Sequence, residues 1–312
     1  MRVSLCVSPR HFLVVINIVL LLLVSFRVVK SDSMMAGGGP SSLAPGANPR
    51  RTLLLFGDSI TEHGWRVDIR GWAAQLAEHY RRRADVINRG MSGYNTRWAK
   101  ACLVRDKGDD FSTNDERDDE DDVRVVIPAR VDWAVIFFGA NDAALPGGSS
   151  ERQAVPLQEY TENIKEFVRE FRRRGATQVV VLSPPPIDHA QRQACAQEKY
   201  GEAGAADDRT DEHTQKYAAA AEVAAKEESA TFVNIFEKFH QIADELYGGN
   251  VGALLSDGLH LNANGNDVVA SELRRVLDQP ERCPLDFPLH NKFSSERTLD
   301  AVLDEHTDAT CN

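Results

Sequence analysis

LLLFGDSITEHGW, residues 53–65, opens with four apolar residues that run without a break into Gly57-Asp58-Ser59. A short, continuous apolar run of this kind is how a strand buried on both faces of a parallel sheet looks. The run therefore predicts a strand over Thr52–Phe56, ending on a glycine, an acid and a hydroxyl. Ser59 is then either the residue that does chemistry at a strand end or a serine that caps the helix that follows.

Outward from this stretch, strands alternate with helices. Strand-like runs recur at Asp85–Asn88, Trp133–Phe138, Gln178–Leu182 and Thr231–Ile235. Helical spacing links Leu157, Tyr160, Ile164, Phe167, Val168 and Phe171, with Gly175 as a stop. Gly71–Arg83 carries Trp72, Leu76 and Tyr80 on one face, His213–Glu228 is alanine-rich and amphipathic, and Val269, Leu273 and Val276 form a last stripe closing at Pro280. Alternating strands and helices predict an α/β domain, a three-layer α/β/α sandwich with a flavodoxin-like, mostly parallel five-stranded sheet.

The rest of the chain frames this domain. Residues 1–30 place Arg2 and Arg10 before an apolar run from Phe12 to Phe26, with no acid before Asp32, which predicts a secretory signal peptide. An uncleaved signal anchor and an organellar leader are the alternatives. The first would be the chain's route to a membrane; the second fits less well because the run is apolar all round. Residues 31–50 are rich in Gly, Ser, Pro and Ala and are expected to be a linker. The alternating strand–helix pattern occupies 51–280, and 281–312, which lacks periodicity, is expected to be a tail. The 312-residue chain has net charge −11, which argues against nucleic acid or an anionic membrane surface as partner. Residues 106–122 carry ten acids against two bases and are expected to form a solvated, disordered insertion; no calcium-loop spacing is present. Asp188–Asp211 is polar and is expected to be a lid or a long connection. The five cysteines, Cys6, Cys102, Cys195, Cys283 and Cys311, show no metal-ligand spacing. In an oxidising compartment Cys283 and Cys311 could pair; free thiols are the equal alternative.

Ligands of doubly wound sheets bind beyond the carboxyl ends of the strands, so the residues that each strand runs into matter most. The first runs into Ser59. The second runs into Asn88-Arg-Gly-Met-Ser-Gly-Tyr-Asn-Thr96, where Gly93 can offer a backbone N–H with no side chain in the way. The third runs into Gly139-Ala-Asn-Asp142, where Asn141 can offer an amide N–H. After the fifth comes Asp257-Gly-Leu-His260, which presents a base and an orienting carboxylate three residues apart. A serine nucleophile needs such a base, and a tetrahedral intermediate needs such donors. Each fragment alone is an ordinary turn or cap; four in order, each at a strand end or entering the last helix, form a set. Asp58 is expected to hydrogen-bond the backbone of the Ser59 turn, and Asp142 to fix the Asn141 loop. His63 would point along the start of the helix rather than at Ser59. His79, His189, His213 and His240 have no carboxylate at useful spacing and are expected at the surface. Trp72 and Trp98 fit core packing better than an acyl pocket. The chain lacks the G-x-S-x-G elbow of the standard α/β-hydrolases, and it also lacks a Walker loop, a G-x-G-x-x-G and an H-E-x-x-H.

These residues resemble the SGNH (GDSL-type) serine hydrolases. Val86-Ile-Asn-Arg-Gly-Met-Ser-Gly-Tyr-Asn-Thr-Arg-Trp-Ala99, Phe137-Phe-Gly-Ala-Asn-Asp142, Ser183-Pro-Pro-Pro-Ile-Asp188 and Ser256-Asp-Gly-Leu-His-Leu261 are similar to the isoamyl acetate-hydrolysing esterase branch. The resemblance covers about residues 51–280. It implies ester hydrolysis without metal or cofactor, with Ser59, His260 and Asp257 as the catalytic set. It also implies an oxyanion hole formed by the Ser59 N–H, the Gly93 N–H and the Asn141 side chain, and a small-molecule ester, of short acyl chain, as substrate. A carbohydrate O-deacetylase or a lipid acyl hydrolase would use the same residues. The rival of another class is a non-catalytic binding module of the same fold, which would be expected to have lost one of them; none is lost.

Overall fold

β1 (Arg51–Gly57) lies in the middle of the molecule, with residues 53–57 fully buried. It is followed by α1 (Ser59–Glu62), a 3₁₀ turn over His63–Trp65, α2 (Trp72–His79), β2 (Ala84–Gly90) and α3 (Thr96–Val104). Then come β3 (Trp133–Phe137), α4 (Leu157–Arg173), β4 (Gln178–Leu182), α5 (His189–Tyr200), α6 (Asp211–Glu227), β5 (Thr231–Val233), α7 (Ile235–Tyr247) and α8 (Ala263–Val276). The structure, a computed structural model, describes residues 50–104, 127–201 and 208–277. The expectations for residues 1–49, the acidic insertion 106–122, the tail 281–312, and Cys6, Cys283 and Cys311 fall outside that range.

The five strands are all parallel, in the order β2-β1-β3-β4-β5, which is the flavodoxin-like order. Alternation along β1 divides its side chains between two layers, because successive residues of a strand face opposite sides. Leu53 and Leu55 pack with Trp72 and Leu76 of α2, Phe239 of α7, and Val269 and Leu273 of α8. Leu54 and Phe56 pack with Ala99 of α3, with Ile164, Phe167 and Phe171 of α4, and with Ala221 of α6. The three-layer sandwich follows from that division. Phe56 stands at the centre of an aromatic cluster, edge-on to Phe138, Phe167 and Phe171 with ring centroids 5.2, 5.2 and 5.4 Å away, a preferred aromatic geometry.

Register decides where the functional segments emerge. Gly57 is level with Gly90 of β2 and with Phe137 of β3. The residues that leave these three strands therefore surface together at one edge of the sheet. That edge includes the switch point, where the chain places β2 on one side of β1 and β3 on the other, and where such sheets open a crevice. Gly57 is a glycine for a steric reason: a Cβ there would sit 2.4 Å from Phe137 O and 2.1 Å from Thr61 Oγ1.

Several expectations are corrected. β2 is half-exposed rather than buried on both faces, because it is an edge strand. The fifth strand stops at Val233, since the Asn234 side chain accepts the Glu237 N–H and starts α7 at Ile235. Neither α7 nor α3 was expected from the periodicity. Within the 188–211 segment, Asp188 caps α5 by accepting the Gln191 N–H. Cys195 is a free thiol, and no helix among the described residues is long and apolar enough to cross a membrane. Truncating Phe56 to alanine should lower the unfolding free energy by about 3–5 kcal/mol in urea titration; a loss below about 1 kcal/mol would show that the cluster does not organise the core.

Candidate active site

Ser59 begins α1, but it is not the helix cap. Asp58 takes that position, with Oδ1 accepting the Ile60 N–H at 2.9 Å, which leaves the Ser59 hydroxyl uncommitted to capping. The short helix is anchored from below by Trp72, whose Nε1 donates to Ile60 O at 3.1 Å. Trp72 is fully buried, so it belongs to the core and not to an acyl pocket. Trp98 is half-buried against Tyr94, ring centroids 6.1 Å apart.

The Asp257-Gly-Leu-His260 segment is a closed loop. Leu255 and Leu261 bridge across its base, and Ser256 N donates to His260 O at 2.8 Å. Within it Asp257 Oδ1 accepts the Leu259 and His260 N–H groups at 3.0 and 2.8 Å, and Oδ2 lies 2.8 Å from His260 Nδ1. Burial opposes the Asp257 charge, yet the hydrogen bonds from the His260 ring and these two N–H groups outweigh it and hold the carboxyl well below the usual carboxylate range. His260 Nε2 in turn lies 2.9 Å from Ser59 Oγ. The structure thus brings Ser59, His260 and Asp257 into one continuous hydrogen-bonded row.

Gly93 follows β2 at φ +81°, a conformation that favours glycine. The peptide groups on either side of its N–H are pinned. Glu62 accepts the Ser92 N–H at 2.6 Å, while Gln153 Nε2 donates to Gly93 O at 2.9 Å and Tyr94 N donates to Met91 O at 3.1 Å. Asn141 follows β3 and is buried; its Nδ2 donates to Tyr94 O at 2.8 Å. Asp142 ties this loop to the start of α3, where its Oδ1 accepts the Thr96 N–H at 3.0 Å and the Thr96 hydroxyl.

The histidines divide. The His63 ring lies beside that of His260, centroids 5.1 Å apart, and burial first, then the neighbouring His260, lowers its proton affinity. His240 was expected to have no acid partner, but its Nε2 lies 3.0 Å from Asp211 Oδ2, a pairing across 29 residues that spacing cannot reveal. His189 Nδ1 meets Arg209 O at 3.3 Å. His79, His189, His213 and His240 are all half-buried rather than surface residues. The residue missed altogether is Arg209, which is 1% exposed and donates from Nη2 to Asn141 Oδ1 at 3.0 Å.

With the geometry in place, comparison with known proteins identifies the class. The GDSL-like Lipase/Acylhydrolase family model matches residues 55–268, more than half of the chain, and the chain belongs to that family of carboxylic ester hydrolases. Among curated relatives, a GDSL esterase/lipase of Arabidopsis thaliana is 39% identical over 259 residues, covering 79% of this chain and 95% of the relative. An isoamyl acetate-hydrolyzing esterase 1 homolog of Bos taurus is 34% identical, covering 73% of this chain and 81% of the relative. A solved lipase/acylhydrolase from Enterococcus faecalis shares the fold at a TM-score of 0.51 and 21% identity, over 75% of this chain and 98% of its own.

Two carboxyls behind the site carry a pH signature. Burial raises Asp58 to about 7, against the pull of the Ile60 N–H. Burial likewise raises Asp142 to about 6, against the Thr96 hydrogen bonds. Between roughly pH 4 and these values the folded chain keeps protons that the unfolded chain has lost. Their contribution to stability is complete below the unfolded value and is lost as pH rises through 6 to 7. Asp58→Asn, which is neutral at any pH, should therefore raise the melting temperature relative to wild type more at about pH 8 than at about pH 5. An equal effect at both would mean that Asp58 does not resist ionisation in the fold.

Proposed function

We propose that this enzyme hydrolyses short-chain carboxylic esters, acetate esters foremost, through an acyl-enzyme on Ser59. The observation that carries this is the continuous row from Ser59 Oγ to His260 Nε2 at 2.9 Å and from His260 Nδ1 to Asp257 at 2.8 Å. It stands at the strand ends that also present Gly93 and Asn141. Ser59 Oγ attacks the ester carbonyl carbon while His260 Nε2 takes the hydroxyl proton. Asp257 keeps the Nδ1 proton in place and so holds the His260 tautomer that leaves Nε2 free to accept. The carbonyl oxygen takes up the negative charge and is met by the Ser59 N–H, the Gly93 N–H and the Asn141 amide. When the C–O bond to the alcohol breaks, His260 delivers the proton to the departing alkoxide. Water, deprotonated by His260, then attacks the acyl carbon and releases the acid and Ser59.

Preference for a small acyl group is supported by the resemblance in the Val86–Ala99 and Phe137–Asp142 segments, and by the acetate ester in the name of the Bos taurus relative. The test is turnover of p-nitrophenyl esters graded from acetyl upward. Rates should fall as the acyl chain lengthens, and Ser59→Ala should abolish turnover above the uncatalysed rate. Asn141→Ala should lose roughly 10²–10³ in kcat with the fold intact. Wild-type turnover by Ser59→Ala would overturn the assignment.

A further inference from the structure

Arg209 belongs to no motif and was read only as part of a polar segment, yet its guanidinium is buried at the strand ends and uses every side. Nε donates to Ala140 O at 2.6 Å, Nη1 to Asp208 Oδ2 at 2.5 Å, and Nη2 to Asn141 Oδ1 at 3.0 Å and to Gln153 Oε1 at 2.7 Å. Gln153 then passes the constraint on, because its Nε2 donates to Gly93 O at 2.9 Å. A guanidinium can only donate and a main-chain carbonyl can only accept. The two amides therefore have one orientation each: the Asn141 oxygen faces Arg209 and its NH₂ faces Tyr94 O, and the Gln153 oxygen faces Arg209 and its NH₂ faces Gly93 O. Turned over, the Asn141 amide would put a lone pair where the site needs a hydrogen.

We propose that Arg209 is a positioning residue of the oxyanion hole, holding the Asn141 amide directly and the Gly93 backbone through Gln153, so that both present N–H to the ester oxygen. The inference rests on the oxyanion role of Asn141 and Gly93 proposed above. The same guanidinium also joins that half of the site to the other. Asp208, its ion-pair partner, lies 2.9 Å from Arg192 on α5, and Arg192 Nη1 lies 3.9 Å from Asp257 Oδ2. Asp188 N, at the start of α5, donates to Gly258 O at 3.1 Å inside the catalytic loop. Asp188, Arg192 and Arg209 thus reach across the strand ends: Arg192 approaches the carboxylate end of the Ser59 row and Arg209 holds the donor end.

A double-mutant cycle tests this, because residues that act through one another are non-additive. Arg209→Met should lower kcat on p-nitrophenyl acetate roughly 10²-fold with KM changed less than about threefold, as expected when a donor active only in the transition state is misplaced. In an Asn141→Ala background the same change should cost no more than about tenfold, the share that Gln153 and Gly93 carry. Arg209→Lys keeps the charge but not the planar fork, and should stay within a few-fold of Arg209→Met. An equal fold-loss in both backgrounds, or recovery by lysine, would overturn the positioning role. An unimpaired Asn141→Ala would instead overturn the oxyanion assignment on which it rests. If Arg209→Met does not fold by circular dichroism, Gln153→Ala decides: it should lower kcat roughly tenfold at unchanged KM, and wild-type kcat would refute the relay.

Discussion

The contact on which the site depends is the 2.9 Å approach of Ser59 Oγ to His260 Nε2, made between residues 201 positions apart. Nothing local enforces it. Ser59 is placed by the end of a buried central strand and by a four-residue helix tied to Trp72. His260 is placed by a loop closed at Leu255 and Leu261, just ahead of a helix whose Val269 and Leu273 pack in the same layer as Trp72. The two side chains meet because α2 and α8 share one face of the sheet, where Trp72 N also donates to Asn266 Oδ1 at 3.2 Å. Core packing and site geometry are here one constraint: what buries Leu53, Leu55 and Trp72 also sets the distance between Ser59 and His260.

Around that contact the fold manages charge by burial. Asp257 is partly exposed and held ionised by three hydrogen bonds from its own loop. Asp58 and Asp142 are more deeply buried, and both are pushed toward the neutral form. Acids within three residues of Ser59, Asn141 and His260 thus take opposite states, because one is surrounded by donors and the others by core. Arg209 answers to the same physics: a buried guanidinium is tolerated where each of its nitrogens has an acceptor, and two of those acceptors are amides that reach the candidate oxyanion hole.

Much of this was legible in the sequence where the signal was local. The apolar runs of β1, β3 and β4 announced central strands, the stripe from Leu157 to Phe171 announced α4, and the residues after each strand announced a site. Their order in the sheet was not legible, because periodicity says nothing about neighbours. α3 was hidden because Thr96–Val104 spans only nine residues with Arg97 and Lys100 set among its apolar ones, and α7 was hidden by a strand that seemed to continue through Asn234. The His240–Asp211 pair and the Arg209 contacts to Ala140, Asn141 and Gln153 escaped because the partners lie 29 to 69 residues apart, and no spacing rule joins them. Asp188–Asp211 looked like an insertion since its meaning lies in what it touches, not in its composition.

The central claim is that Ser59 is the nucleophile of an ester hydrolase, activated by His260. It is tested most directly by trapping the covalent intermediate. The folded protein is treated with a fluorophosphonate, digested, and the modified peptide sequenced by mass spectrometry, alongside a His260→Ala variant treated identically. The account predicts a single adduct on Ser59 in the wild type, and labelling slowed by orders of magnitude in the variant. An adduct on any other residue, or equal labelling rates in the two proteins, would contradict it.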